Sequence, residues 1–212
     1  MTLEVQELTA LLNQLGRRER TMIMLDAPTG LRRGELFALK WEDVDFEQLQ
    51  LTVNHSIVRG HVGPCKTEAS QKPVPMDSMM ADALLSWKLE SPYSQPGDWV
   101  FASERAHGYL PWDPQNIMKR HIRPAAQRAG ISKHIGWHTF RHTYSTLLRA
   151  NGEDIKVVQE LLRHANSRIT LDTYTQALTE SKRQAQKRVI EMIQRAGEVG
   201  SALPAVPRED TA

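Results

Sequence analysis

The 212-residue sequence contains a single cysteine, Cys65, which excludes an internal disulfide framework and a multi-cysteine zinc site. It has no run of about 18 apolar residues, the length a membrane-spanning helix needs. The start, Met1-Thr2-Leu3-Glu4, lacks the basic and apolar regions of a secretory signal. Internal repeats and low-complexity segments are also missing. There is no large charge imbalance: the formal net charge is +2, with 40% apolar and 25% charged residues. Those proportions exclude a disordered or fibrous chain. The length suits one domain, or one domain with a short appendage, and can bury a core without staples. A soluble, cytoplasmic, globular protein is expected.

The small net charge conceals an asymmetry. Residues 1–100 hold ten Lys and Arg against fourteen Asp and Glu, whereas residues 101–195 hold sixteen against eight. The final seventeen residues are acidic again. A basic C-terminal half is what a polyanion-binding surface requires. Ordinary solvated helix faces would carry the same charges.

Periodicity predicts helices over 3–15 and 17–27, with Gly16 between them and Pro28-Thr29-Gly30 breaking the second. A short helix follows around Glu35, Leu36 and Leu39. Residues 49–58 alternate and carry β-branched residues, which predicts one strand. Residues 72–75, Lys-Pro-Val-Pro, predict an edge strand, because proline cannot donate to a ladder. After Asp77 the chain reads as helical over 77–90, from Asp113-Pro114 to Gly130 with a kink near Pro124, and over 138–150, 154–163, 167–176 and 179–196. Met22, Met24, Leu147, Leu148, Val157, Val158, Leu161 and Leu162 are expected in the core. Trp41, Trp137 and Tyr144 are read as packing residues. Residues 197–212 lack periodicity and read as a flexible tail. The fold class expected is mainly α with a small antiparallel three-stranded sheet.

His138 and His142 stand at i, i+4, the spacing of two zinc ligands on a helix. The base-supplying glutamate of such a site is missing, and Arg141 lies between them, where a guanidinium would repel a metal ion. A different set is more coherent: Arg32 in a turn, Lys66 in a hairpin, His138 and Arg141 on one helix face, His164 at the end of the next helix, and Tyr174 beyond it. Cationic donors dominate, with a phenol and no carboxylate. Such a set suits a multiply anionic transition state, and phosphoryl transfer has one. Arginine forks match its non-bridging oxygens, and the phenol would be the nucleophile. Tyr93, Tyr109 and Tyr144 compete for that last role.

These residues lie in motifs that resemble the tyrosine recombinases, or phage-integrase family, in their catalytic domain. The motifs are Thr29-Gly30-Leu31-Arg32-Arg33-Gly34-Glu35-Leu36, then Lys66-Thr67, then His138-Thr139-Phe140-Arg141-His142, then Leu161-Leu162-Arg163-His164, and finally Thr170-Leu171-Asp172-Thr173-Tyr174. The match covers about residues 3–190. The resemblance implies that Arg32 and Arg141 clamp a scissile phosphate and that His138 and His164 assist. It implies that Lys66 protonates the departing 5′ oxygen and that Tyr174 forms a 3′-phosphotyrosine bond. Glu35 would orient the turn that carries Arg32. The family commonly has glycine before the second histidine; here Arg163 stands there, which is expected to add a cation near DNA.

The resemblance further implies site-specific DNA recombination without metal or cofactor. Double-stranded DNA would be the partner, with self-association on it from dimer to tetramer, accessory DNA-bending proteins, and a place at the nucleoid rather than at a membrane. Residues 1–196 would be the catalytic domain, with 179–196 a helix exchanged between protomers. An N-terminal DNA-clamping domain is absent from the sequence, so a fragment of a longer protein is expected. Two other readings stand beside this one: a type IB topoisomerase-like relaxing activity, and a truncated DNA-binding competitor of a full-length recombinase.

Overall fold

The structure, a computed structural model, describes residues 1–65 and 72–163. All of these lie within Met1–Thr170, one of the two units into which the chain divides. The expected helices at 167–176 and 179–196, and the tail, fall outside the described residues.

Eight helices and five short strands are described. Helix α1 (Val5–Asn13) and helix α2 (Arg17–Thr29) come first, then α3 (Arg33–Leu36). Helix α2 runs through Pro28 rather than breaking there, and stops at Gly30, whose left-handed backbone returns its N–H to the Asp26 carbonyl at 2.9 Å. A proline in the last turn removes only its own donor, so the helix still reaches the residue that can take a positive φ.

Strands β1 (Val44–Asp45), β2 (Gln50–Leu51) and β5 (Val74–Pro75) form an antiparallel sheet in the order β1-β2-β5. Its edge is the proline-flanked strand, as the missing donors require. Strands β3 (His55–Val58) and β4 (His61–Pro64) form a separate hairpin. The single strand expected over 49–58 is therefore two. Asp43 makes the break: its carbonyl accepts from Thr52 N at 2.9 Å, and its carboxylate accepts from Asn54 Nδ2 at 2.7 Å. The chain is tied down between the two pairings and changes partner.

Helix α4 (Ser78–Glu90) is capped by Asp77, α5 (Pro114–Ile117) by Asp113, and α8 (Ile155–Leu161) by Asp154; each carboxylate accepts a backbone N–H from the first turn. Between α5 and α6 (Arg123–Arg128) the helix widens into a π turn over Met118–Ile122. Pro124 has no N–H for the Arg120 carbonyl, and the wider turn accommodates that gap without ending the helix. Helix α7 (Trp137–Ala150) follows an extended Gly136.

The core gathers Leu11, Met22, Ile23, Leu36, Phe37, Leu51, Leu84, Phe101, Ile117 and Phe140, all essentially inaccessible. Val158 and Leu162 are buried as expected, and so are Trp41 and Trp137. Val157 is not: it is 42% exposed. Met24, Leu147 and Leu148 line a surface groove of about 780 Å³ between α1, α2 and α7 rather than the interior. Helical spacing assigns a face, but it does not say whether another element covers it. Among the described residues no helix is long and apolar enough to cross a membrane.

Candidate active site

The turn after α2 is built on Gly30. Its φ is +59°, and a Cβ there would sit 2.9 Å from both Leu162 Cδ2 and Tyr144 Cδ1. Only glycine supplies that backbone and that close approach without strain. Arg32 then caps α3. Its N–H donates to Glu35 Oε2 at 2.9 Å, and its Nη1 donates to Glu35 Oε1 at 2.8 Å. The arginine side chain is 39% exposed and the glutamate side chain 3%. A buried carboxylate thus grips one end of a guanidinium whose side chain stays partly exposed.

Gly34 has a second role in this turn. A Cβ added there would fall 2.4 Å from the Ile57 carbonyl. The backbone of α3 therefore lies directly on β3, and the hairpin that leads towards Lys66 is pinned to the helix that Arg32 caps.

Helix α7 brings the second group. Trp137, in its first turn, meets Phe37 edge-on at 5.0 Å and donates its indole N–H to the Pro114 carbonyl at 2.9 Å. That contact locks the start of α7 to the end of α3. His138 is exposed at the beginning of the helix, and Arg141, one turn on, is largely buried. Arg141 Nη1 donates to the Gly30 carbonyl and its Nη2 to the Leu162 carbonyl, the latter at 2.5 Å. No carboxylate accepts from Arg141 among the described residues. Burial, together with the like charge of Arg32, brings its pKa down to about 10, with Glu35 opposing. At neutral pH it remains a cation.

The two arginines converge on two successive carbonyls. Arg141 reaches the Leu162 carbonyl, and Arg32 Nη2 reaches the next carbonyl, Arg163, at 3.4 Å. Arg163 itself is 3% exposed and donates Nη2 to Glu35 Oε2 at 2.6 Å. The cation expected near DNA is instead buried, because Glu35 lies within reach and is the carboxylate it neutralises. Burial opposes ionisation of Glu35, but the Arg163 guanidinium and the Arg32 donors outweigh it and hold the carboxyl below its ordinary range.

Arg32, His138 and Arg141 are thus brought to neighbouring elements, while Lys66, His164 and Tyr174 lie outside the described residues. Tyr144, a competing tyrosine, is half-buried against Gly30, and burial raises its pKa. Cys65 donates its thiol to the Val53 carbonyl at 3.2 Å, and burial raises its pKa also. No group of three or more metal-ligating side chains occurs among the described residues, so His138 and His142 have no third ligand there. Sequence reasoning missed Asp26. It is fully buried, neither carboxyl oxygen has a hydrogen-bond partner among the described residues, and burial pushes its pKa well above the ordinary aspartate value despite nearby Arg141. A lone acidic residue in an apolar helix face was the available signal.

The family model described as "Phage integrase family" matches residues 2–181. A "Tyrosine recombinase XerC-like" protein of Caldanaerobacter subterraneus is 30% identical over 191 residues, covering 80% of this chain and 48% of that protein. "Tyrosine recombinase XerA" of Thermococcus kodakarensis is 30% identical over 188 residues, covering 87% and 60%. The chain spans about half to three-fifths of the length of these relatives. In fold, it is similar to the Tn1549 transposon integrase solved with circular intermediate DNA: TM-score 0.76, 22% identity, 89% of this chain and 66% of that one. The crystal structure of XerA recombinase gives a TM-score of 0.69 at 27% identity, covering 89% and 63%.

Proposed function

The chain belongs to the phage integrase family, and from that premise we propose that it is the catalytic part of a tyrosine-type, site-specific DNA recombinase. The observation that carries the proposal is the convergence of Arg32 and Arg141. Two guanidiniums, one from the cap of α3 and one from α7, more than a hundred residues apart, are anchored on successive carbonyls. Fixed donors of this kind bind an anion whose charge is spread over several oxygens.

In this reading Arg32 and Arg141 hold the non-bridging oxygens of a scissile phosphate in duplex DNA. Tyr174 loses its phenolic proton and attacks phosphorus. The P–O5′ bond breaks, and Lys66 gives the departing 5′ oxygen its proton. His138 and His164 donate hydrogen bonds to the phosphoryl oxygens and carry protons. The 3′-phosphotyrosine ester keeps the energy of the phosphodiester, so the 5′ hydroxyl of another strand can reverse the step. Each donor aimed at the developing charge is worth roughly 3–4 kcal/mol, by analogy with oxyanion holes. Several together stabilise the transition state without a metal. Exchange between two duplexes requires more than one protomer on DNA, and the positive charge of residues 101–195 suits the polyanion.

Covalent trapping tests the proposal. Wild type and Tyr174→Phe are incubated, in chelator, with nicked duplexes taken from the DNA flanking the gene, then run on denaturing gels. An adduct with wild type alone is expected. An adduct that survives Tyr174→Phe overturns the nucleophile. Relaxation of a supercoiled plasmid with no strand exchange would assign a topoisomerase instead.

A further inference from the structure

From Pro114 to Gly152 the sequence holds seven Lys and Arg and no Asp or Glu. A carboxylate that answers one of these charges must come from elsewhere in the fold. Glu7 does so for Lys133, at 2.6 Å. Arg123 has no carboxylate partner among the described residues. It is held instead by a carbonyl and a ring: its Nε donates to the Ile135 carbonyl at 3.1 Å, and its Nη2 lies 3.0 Å from His134 Nε2. A guanidinium can only donate, so that ring nitrogen accepts and the ring proton sits on Nδ1. The two contacts fix the guanidinium before any ligand arrives, which lowers the entropy cost of binding one.

Arg123 stands at a cavity of about 270 Å³ between α6 and the loop that leads into α7. Ile131 and Ile135 line it and are buried, while Arg123, Ser132 and His134 line it and are exposed. The lining groups therefore include a guanidinium fork, a hydroxyl and an imidazole N–H. An anion with several acceptor oxygens matches that set, and a phosphate accepts the fork bidentately. Lys133 also lines the cavity but adds little charge, because Glu7 already answers it. Arg123 directly follows the π turn of Met118–Ile122, and such turns recur at functional sites.

The cavity is close to the cleavage site proposed above. His134 precedes His138 by four residues, so their Cα atoms are at most roughly 14 Å apart. A DNA strand held at His138 carries a phosphate about every 3.4 Å of helix axis, and several lie within that reach. We propose that the cavity seats one backbone phosphate flanking the scissile phosphate, with the Arg123 guanidinium as its principal donor. This rests on the function proposed above. The contact sets the register of the strand on α7 and reads no base, since phosphate contacts position a protein and base contacts specify.

The test is binding, by fluorescence anisotropy, to the same nicked duplexes, each with one flanking phosphate replaced by an uncharged methylphosphonate. Arg123→Met keeps the length of the side chain without its charge. On the unmodified duplex it should bind about tenfold more weakly, the order of one charged hydrogen bond. The slope of log affinity against log salt should become shallower by about one. In wild type, one methylphosphonate position should cost a similar factor. In Arg123→Met that position should cost nothing further, because the contact is already gone. Arg123→Gln keeps a donor for the Ile135 carbonyl and should behave likewise, which covers a failure of Arg123→Met to fold. An unchanged salt slope, or a methylphosphonate profile identical in wild type and variants, overturns the proposal. If those profiles are identical and inorganic phosphate binds wild type but not the variants, the cavity takes a free anion rather than DNA. Tyr174-dependent adduct formation is measured alongside. Its absence in wild type overturns the function proposed above; its presence with identical profiles overturns the role of the cavity alone.

Discussion

The two arginines reach neighbouring carbonyls by opposite means. Arg32, at the α2–α3 turn, is held by a carboxylate and remains partly in solvent. Arg141, on α7, is held by two backbone carbonyls and is largely withdrawn from solvent. A carboxylate supplies charge and tolerates a change of donor. Two carbonyls supply only geometry, and they demand a planar fork. One arm is therefore electrostatic and adjustable, and the other is steric and rigid. Among the described residues, a carboxylate accepts from one of these arginines and only carbonyls accept from the other.

The strongest way to break the comparison is to exchange each arginine for lysine. Arg141→Lys cannot span Gly30 and Leu162 together, so adduct formation should fall about 10²–10³-fold. Arg32→Lys keeps its ion pair with Glu35 and should lose roughly tenfold, the smaller effect of a point charge replacing a fork. Equal losses in the two variants would remove the distinction. Gly30→Ala attacks the rigid arm through its backbone. The positive φ and the 2.9 Å approaches to Leu162 and Tyr144 should destabilise the fold by about 2–3 kcal/mol in denaturant unfolding.

Acid should distinguish the arms more gently. Glu35 has a depressed folded pKa, so it contributes stability that is fully present above its ordinary value of 4.5 and is lost as pH falls below it. The difference in unfolding free energy between wild type and Glu35→Gln should therefore narrow below pH 4.5. Asp26, beside the rigid arm, has the opposite sign. Its folded pKa is raised, so its ionisation in the unfolded chain costs stability as pH rises above the ordinary 3.8. Asp26→Asn should raise the melting temperature at pH 7, and the gain should vanish as pH approaches 3.8. A variant less stable than wild type at pH 7 would show that Asp26 is ionised and paired with Arg141.

Much of this arrangement was legible before any coordinates. The cap at Asp113 and the edge character of the proline-flanked strand near Lys72–Pro75 follow from local rules, and both hold, whereas α2 runs two residues past its expected end. The break in residues 49–58 was not legible. Alternation reads the same on either side of Asn54, and the break depends on Asp43, which arrives from a different element. Arg163 was misjudged for a related reason. An arginine in a helix-ending segment is ordinarily solvated, and nothing nearby in the chain reveals that Glu35, 128 residues away, waits to receive it.

The sequence by itself determined which residue types stand in which order, which stretches are helical, and that Arg32 and Glu35 share a turn while His138 and Arg141 share a helix face. Those are short-range consequences of φ preferences, capping and the 3.6-residue period. Tertiary structure alone decided that Arg32 and Arg141 meet at Leu162 and Arg163, that Glu35 serves two arginines, and that Asp26 is buried without a hydrogen-bond partner among the described residues. Burial and the convergence of charges are properties of groups distant in the chain. Their energies arise only once packing has removed water from between them.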